Sequence, residues 1–322
     1  MTAVAGSPFD EGLGTPSIIQ IVVDPKGRFV YALNVSASAA GQSIGNPGIG
    51  EFAINRVSGA LVRVPGSPIV FSANNVNQMA IDGTGQFLFE PNGFAGPPGT
   101  GFDVYSIDQT TGALTLTSAT SNTAPVGSFS VASANGSLLF NAGNGLVEVF
   151  SITPSTGQLL VVPGTTVSTG GSAGPMAVSA DNKFLYVANQ LQGTVNVYAV
   201  GSGGSLALAP GSPFTIDIGA QFLTLTPDGR FLFVAASPTS GSETVKAYAV
   251  NPTAGTFTAI PGAVVNNVTS VTIDRSGHFI YISAVGNLST FSIDPVTGTL
   301  TVVSRTGNGP SSDDPNDMVV AP

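Results

Sequence analysis

Short runs of aromatic and β-branched residues alternate along the chain with clusters of Gly, Pro, Asn and Asp, and no segment shows helical periodicity. Such a pattern predicts short β-strands joined by tight turns. A polar turn followed by an apolar strand recurs six times, and these strands begin at Phe29, Phe87, Leu138, Phe184, Phe231 and Phe279. The successive spacings are 58, 51, 46, 47 and 48 residues, which is the period of a propeller blade.

Each repeat resolves into four strands, A to D. We therefore expect residues 1–322 to form one all-β domain, a β-propeller of four-stranded antiparallel blades. The six predicted blades cover approximately residues 18–68, 76–120, 127–165, 174–213, 220–262 and 268–305.

The two ends of the chain resemble further strands. Residues 2–8 are similar to the D strands at residues 61–68 and 206–213, and the last six residues are similar to an A strand. We therefore expect a seventh blade formed by both termini, residues 1–9 with 315–322, which is incomplete because strands B and C are missing. Met1 would then be an internal start. A six-bladed ring is the alternative, and an unfilled gap would favour oligomerisation through the free strand edges.

Composition limits the possible partners. Charged residues make up 8% of the chain and the net charge is -9, so nucleic acid is not an expected partner. No apolar run is long enough for a membrane span, and the absence of Cys excludes thiol chemistry. A surface rich in Ser, Thr, Asn and Gly favours an extracytoplasmic location, periplasmic or secreted.

One polar position precedes an apolar run in every C strand. We interpret the following residues as equivalent and structural: Glu51, Asp103, Glu148, Asn196, Lys246 and Thr290.

The turn that leads into the strand at residues 184–189 (FLYVAN) and the closing turn at residues 292–300 (SIDPVTGTL) resemble those of the seven-bladed lactonase propellers. YVTN-repeat surface proteins are similar. The resemblance implies the fold, and the family includes 6-phosphogluconolactonase and a carboxymuconate-cyclising enzyme. Its motifs recur in every blade and carry no chemistry, so we transfer no catalytic residue, and the function has to be argued from a site.

Hairpin alternation places the short A-to-B and C-to-D turns on one face, called here the turn face. The long, dissimilar B-to-C and D-to-A connections lie on the opposite face, the loop face, where binding is expected. Nearly all basic residues fall on the turn face, and Arg305 is the basic residue assigned to the loop face. The loop face is therefore neutral to acidic and poor in cations, which argues against a phosphorylated or dianionic substrate.

Amide side chains near strand ends on the loop face are the candidates for binding a ligand. Three asparagines follow B strands that we interpret as equivalent, although Asn also ends strands for structural reasons. The ligand-binding candidates are Asn34, Gln78, Asn92, Asn141, Asn189, Gln221 and Asp317.

Three carboxylates are candidates for a metal site. Asp313, Asp314 and Asp317 offer the oxygen ligands that calcium prefers, and calcium is the one cofactor considered. Their spacing is not that of an EF-hand loop, so we expect an ordinary solvated loop and no cofactor, and a calcium site is the alternative.

Other motifs carry no function. The segment at residues 96–101 lacks the lysine of a phosphate-binding loop, and the two Gly-x-Ser-x-Gly matches are expected by chance in a chain with 41 glycines. His278 precedes a B strand on the turn face, where a solvated turn histidine is expected.

The sequence favours an extracytoplasmic binding propeller whose loop face engages a small neutral or cationic ligand or a cell-surface partner. The alternative is a lactone hydrolase acting on an uncharged substrate, in which a loop-face carboxylate, with calcium, activates water. Whether the protein is an enzyme stays open at this point.

Overall fold

The structure, a computed structural model, describes residues 17–35, 37–39, 42–44, 46–71, 78–91, 101–120, 127, 129–237, 244–261, 268–284 and 287–307. These residues form six antiparallel sheets that follow one another around a central cavity, each with four strands in chain order, and three of the sheets have a short fifth strand. Residues 37–39 and 42–44 form a separate two-stranded sheet. The prediction of an all-β propeller is confirmed, and the described part has the six blades of the stated alternative. The predicted seventh blade, residues 1–9 with 315–322, lies outside the described residues.

The strands are numbered in chain order. Blade 1 and its connections contain β1 (Ser17–Val23), β2 (Phe29–Val35), β3 (Ala37–Ala39), β4 (Gln42–Ile44), β5 (Gly48–Ile54), β6 (Leu61–Arg63) and β7 (Ile69–Val70). Blade 2 contains β8 (Ala80–Ile81), β9 (Phe87–Pro91), β10 (Phe102–Ile107) and β11 (Leu114–Thr120). Blade 3 contains β12 (Phe129–Ala132), β13 (Leu138–Gly143), β14 (Leu146–Ile152), β15 (Leu159–Val161) and β16 (Val167–Ser168).

The second half repeats the plan. Blade 4 contains β17 (Ala173–Val178), β18 (Phe184–Asn189), β19 (Thr194–Val200), β20 (Leu206–Leu208) and β21 (Phe214–Thr215). Blade 5 contains β22 (Ala220–Leu225), β23 (Phe231–Ala236), β24 (Thr244–Val250) and β25 (Phe257–Ile260). Blade 6 contains β26 (Val268–Ile273), β27 (Phe279–Ala284), β28 (Asn287–Ile293) and β29 (Leu300–Gly307).

Helix is almost absent from the described residues. A 3-10 turn spans the three residues Ser202–Gly204. No helix found in this part of the chain has the length and apolar character needed to cross a bilayer.

The recurring polar residue at the start of each A-to-B turn has a structural role. Its side-chain oxygen accepts a hydrogen bond from the N–H of the first residue of strand B, at 3.0 Å from Phe29 to Asp24 and at 2.9 Å from Leu138 to Ser133. All six blades share this bond. The turn motif of the sequence therefore encodes a cap for a main-chain donor that would otherwise be buried without a partner.

The core lies between the blades. Tyr31 and Leu33 of blade 1 pack with Leu88 and Tyr105 of blade 2, and the next four interfaces repeat this arrangement. Each fully buried large apolar side chain stabilises the fold by about 1.5–3 kcal/mol. The alternation of strand residues explains the packing, because one face of each sheet contacts the preceding blade and the other contacts the following blade.

The C-to-D turns join neighbouring blades through a glycine. Gly112 has a φ of +81°, and an added Cβ would lie 2.3 Å from the ring of Phe29 in the preceding blade. Gly157 is placed in the same way against Phe87, with a φ of +71°. Both the backbone conformation and the ring contact require glycine.

Four of the six polar residues that were predicted to be equivalent in the C strands occupy the same position in their blades. Pairing with strand B aligns Asp103 with Glu148, Asn196 and Lys246. Glu51 is displaced by one residue from this position, and so is Thr290. Because side chains alternate along a strand, these two point to the opposite face of their blades, and the predicted equivalence was wrong for them.

Blades 6 and 1 are linked across 250 residues of sequence. The Arg275 guanidinium, in the A-to-B turn of blade 6, donates to the main-chain carbonyl of Pro25 in the A-to-B turn of blade 1. This contact connects the first and last described blades at the turn face.

Candidate active site in the central cavity

A cavity of about 530 Å³ lies on the axis, and residues from all six blades line it. Its apolar wall includes Phe129, Met176 and Phe222. The polar groups in its lining are uncharged and are contributed by Gln20, Gln78, Ser130, Gln190, Gln221 and Thr224. A cavity of this size, with apolar walls and a few polar groups, suits a small molecule.

Irregularities in the A strands direct several residues into this cavity. Pairing with strand B shifts register between Ala220 and Phe222, so Gln221 is the extra residue of a bulge, and its side chain is exposed to the cavity. Similar shifts occur in β1, β17 and β26, at the loop-face end of each strand. Bulges frequently redirect side chains beside functional sites. The site is thus built by interruptions of the regular sheet.

Two of the four glutamines are used to join blades. Gln20 Nε2 donates to the Met79 carbonyl at 3.0 Å, and Gln20 Oε1 accepts from the Met79 N–H at 2.5 Å. Gln190 Nε2 donates to the Ala220 carbonyl at 2.9 Å. The amides of Gln78 and Gln221 make no such bond to the described residues, so they are free to contact a ligand.

The cavity lining contains no basic side chain. All nine lysines and arginines of the chain, together with its one histidine, belong to the described residues, and none of them lines this cavity. His278 is exposed in a turn-face turn, with its Nδ1 3.0 Å from Ser276 Oγ. Lys246, which the sequence analysis did not assign to either face, forms an ion pair at 2.7 Å with Asp217 of the D-to-A connection. The loop face therefore has one more cation than expected, and that cation is neutralised.

The other end of the axis is charged. A cavity of about 250 Å³ shares Thr224 with the central cavity and is lined at the turn face by Asp24, Asp274 and Arg275. Burial raises the pKa of Asp24, but hydrogen bonds from the Arg28 and Phe29 main chain and from the Arg28 side chain outweigh it and leave that pKa below its usual value. The axis therefore has a neutral loop-face end and an ionised turn-face end.

The predicted ligand-binding residues fall into three groups. Gln78 and Gln221 line the central cavity. Asn34, Asn141 and Asn189 are buried and do not line it. Asn92, Asp313, Asp314 and Asp317 lie outside the described residues. The sequence did not single out four polar residues of the lining, Gln20, Ser130, Gln190 and Thr224. No local pattern distinguishes them from other amides and hydroxyls on or beside strands.

The three asparagines are not equivalent in the way the sequence analysis assumed. Strand pairing aligns Asn34 with Asn189, whereas Asn141 aligns with Val187, two residues earlier. The Asn141 amide is bonded to the main chain at Gly127, with its Nδ2 2.9 Å from the carbonyl and its Oδ1 3.0 Å from the N–H. Its amide is thus engaged in holding the D-to-A connection, and the assumed equivalence was wrong for this residue.

A buried acidic group lies between blades 1 and 2. Glu90 is 2% exposed and pairs across the sheet with Asp103. Burial, and then the Asp103 carboxylate, raise the pKa of Glu90 to about 9. Burial also raises the pKa of Glu51, whose Oε1 accepts from the Leu114 N–H at 2.7 Å. Neither group lines the central cavity.

The described residues contain no group of three or more His, Asp or Glu side chains placed to bind a metal ion. The predicted calcium ligands lie outside this part of the chain.

Comparison with known proteins supports the lactonase-like assignment. Residues 131–271 match the model of the family described as "Lactonase, 7-bladed beta-propeller". Over 171 residues the chain is 29% identical to a 6-phosphogluconolactonase of Serratia proteamaculans, a match that covers 48% of this chain and 50% of that protein. The aligned region therefore spans half the length of this curated relative.

Solved structures match over more of the chain. The periplasmic gluconolactonase PpgL of Pseudomonas aeruginosa aligns with a TM-score of 0.70 and 22% identity, covering 91% of this chain and 86% of that one. The β-propeller domain of Cps50 (Swd1) from Myceliophteria thermophila aligns with a TM-score of 0.59 and 13% identity, covering 92% and 90%. Likeness at these identities establishes the fold alone.

Proposed function

We propose, from the premise that the chain is a lactonase-like β-propeller, that it hydrolyses an uncharged lactone in the central cavity. The family match favours hydrolysis over a purely binding role. The observation that carries the choice of substrate is that none of the ten basic side chains lines the described cavity. Recognition of a phosphate or carboxylate relies on fixed cations, whereas the amides and hydroxyls present here suit a neutral ring.

The reaction requires a water molecule, a base and a donor to the carbonyl oxygen. Water adds to the lactone carbonyl carbon and loses a proton to the base. The ring C–O bond then breaks, and the departing alkoxide takes up a proton to give a hydroxy acid. Gln78 and Gln221 would donate N–H groups to the oxygen on which negative charge develops. The described lining contains no carboxylate, so we assign the base to the loop-face acids predicted from sequence, with Asp317 the first to test.

Hydrolysis of neutral and charged lactones tests the proposal. The purified protein should hydrolyse δ-valerolactone or gluconolactone with a higher kcat/KM than 6-phosphogluconolactone. Gln221→Ala removes one N–H donor to the lactone carbonyl oxygen and should lower kcat/KM about tenfold or more. Gln158 is an exposed glutamine on the turn face, so Gln158→Ala should leave kcat/KM unchanged. Inactivity against every neutral lactone would contradict the hydrolase, and binding without turnover would return the protein to the class of binding propellers.

Calcium bound by Asp313, Asp314 and Asp317 is a separate proposal. It rests on the preference of calcium for clustered carboxylate oxygens. Millimolar calcium should raise the Tm, because a ligand that binds only the folded state stabilises it, and Asp317→Asn should abolish the increase. An unchanged Tm together with activity that resists a chelator would remove calcium from the reaction.

We also propose an extracytoplasmic location. The support is the low content of charged residues, 8%, and the likeness to a periplasmic gluconolactonase. Fractionation of cells that express the full-length gene would test it, and recovery in the cytoplasm would contradict it.

A further inference from the structure

A second cavity opens on the loop face between blades 3 and 4. This cavity, called here the outer cavity, has a volume of about 630 Å³ and is distinct from the central one. Its apolar part is formed by Val167, Leu206, Leu208 and Pro213. Leu208 is 52% exposed although it lies on a strand, so its side chain is available to a ligand.

The polar groups of the outer cavity are uncharged, and most of them are bonded to one another. Asn196 Nδ2 donates to the Thr169 carbonyl at 2.9 Å and to the Tyr198 hydroxyl at 3.1 Å. Asn189 Nδ2 donates to Thr194 Oγ1 at 3.1 Å. No charged side chain lines this cavity. Most of these groups already have partners, but Asn189 Oδ1 is buried and accepts no hydrogen bond from the described residues. With no charged group and one free acceptor in its lining, the cavity favours a neutral, largely apolar occupant over an ionic one.

One short turn stands between the two cavities. Gln190 lines the central cavity, and Gln192 lines the outer cavity. Leu191, between them, is 71% exposed. Leu191 is thus an exposed aliphatic side chain in the turn whose two flanking glutamines line the two cavities.

A second exposed aliphatic side chain is held beside this turn. The Gly219 N–H donates to the Gln190 carbonyl at 2.7 Å, and the Ile216 N–H donates to the Gly193 carbonyl at 2.8 Å. Leu191 and Ile218 lie between these two hydrogen bonds, and Ile218 is 49% exposed. Main-chain hydrogen bonds thus hold together the two turns that carry these exposed aliphatic side chains, and the pair of side chains is called here the bridge.

We propose that the outer cavity and this bridge bind the aliphatic chain of a neutral lactone whose ring occupies the central cavity. The inference rests on the proposed function and extends it by naming the substrate class, lactones with an alkyl substituent. The chain would cross Leu191 and Ile218 and pack against Leu206 and Leu208. Leu208 pairs with Tyr198, four residues from the loop-face end of β19, so the substituent has to be a long alkyl chain. Burying each methylene there contributes roughly fourfold in affinity.

Chain-length preference provides the test. Wild-type kcat/KM should be higher for a δ-lactone with a pentadecyl substituent than for unsubstituted δ-valerolactone. Leu208→Ser and Leu191→Ser should each lower the ratio of these two values by roughly threefold to tenfold, since each removes contact with one or two methylenes. An unchanged ratio in both variants would overturn the proposal.

Matched controls separate this effect from a general loss of stability. Leu160 is also 52% exposed and lies on the D strand of blade 3 outside the outer cavity, so Leu160→Ser should preserve the ratio. Val296, 76% exposed in a turn-face turn, serves in the same way for Leu191. A fall in the ratio with either control variant would count against the proposed site.

Binding of lactams distinguishes failure of this inference from failure of the proposed function. A δ-lactam with the same alkyl chain resists hydrolysis, so calorimetry measures its binding even if no lactone is turned over. Wild-type protein should bind this lactam more tightly than δ-valerolactam, and Leu208→Ser should remove most of the difference. Equal affinities would overturn the alkyl site, and inactivity with unequal affinities would overturn hydrolysis alone.

Discussion

At the scale of single residues, the groups sealed between blades determine how stability depends on pH. Glu90 is buried against Asp103, and its pKa is raised to about 9, while that of an unperturbed glutamate is 4.5. Between these two values the unfolded chain ionises at this position and the folded protein keeps its proton. The free energy of unfolding therefore decreases as the pH rises through this range.

Replacement of Glu90 by Gln should remove this decrease in the free energy of unfolding with rising pH. We expect Glu90→Gln to have a higher Tm than wild type. Its free energy of unfolding should exceed that of wild type by an amount that grows between pH 5 and pH 8 and reaches about 1–3 kcal/mol. Asp108→Asn is the control, because hydrogen bonds from the Thr111 and Thr110 N–H groups lower the pKa of Asp108, so the difference in stability between this variant and wild type should stay constant between pH 5 and pH 8 and diminish only in acid. An advantage that does not change with pH would show that Glu90 is ionised in the folded protein.

The asparagines show what a sequence can reveal about individual positions. Asn141 and Asn189 each follow an apolar run, so they looked equivalent. In the structure β13 continues through Ala142 to Gly143, which places Asn141 inside the strand. Gln78 and Gln221 were found because they lie at A-strand starts, where the loop face begins.

At the scale of elements, the turns both form the hairpins and join the blades. Gly157 and Gly229 have the same φ of +71°, but only Gly157 packs against a ring, with an added Cβ 2.5 Å from Phe87. Around Gly229 no atom lies within 4 Å of an added Cβ. Substituting alanine at these two positions therefore separates two losses in the free energy of unfolding, one from the left-handed backbone conformation and one from the contact between blades.

The free energies of unfolding of the two alanine variants measure these losses. Gly229→Ala should lower the free energy of unfolding by about 1–2 kcal/mol through the left-handed conformation alone. Gly157→Ala should cost about 3 kcal/mol or more, because Phe87 must also move. Urea unfolding monitored by circular dichroism gives both values, and equal losses would mean that the ring contact adds nothing.

The strands themselves were predictable, but the A-strand bulges were not. A repeated turn followed by an apolar run specifies where strand B begins, because that signal is local. The bulge at Gln221 depends on how β22 pairs with β23, and no local pattern marks the extra residue. The same reason explains why Glu51 was wrongly predicted to be equivalent to the polar residues of the other C strands. Its position depends on how β5 pairs with β2.

At the scale of the whole molecule, the turn face connects the first and last described blades. Arg275 reaches the Pro25 carbonyl, so Arg275→Ala should lower the free energy of unfolding by about 1 kcal/mol. Lys183→Ala removes an exposed ion pair with Asp181 and should cost no more than about 0.5 kcal/mol. Thermal unfolding of both variants compares the two. If they lose the same amount, the link between the blades does not contribute to stability.

The segregation of basic residues could be anticipated, because hairpin succession fixes which connections share a face. The substrate could not be inferred in this way, since the cavity depends on bulges and on amides that meet only in the folded ring.

The absence of cations in the central lining has a consequence for what happens after ring opening. Hydrolysis converts a neutral lactone into a carboxylate inside a protein of net charge -9. No guanidinium or ammonium group lines the described cavity to bind this product. The hydroxy acid should leave quickly and compete poorly with fresh lactone, and progress curves should stay free of product inhibition until the substrate is nearly exhausted.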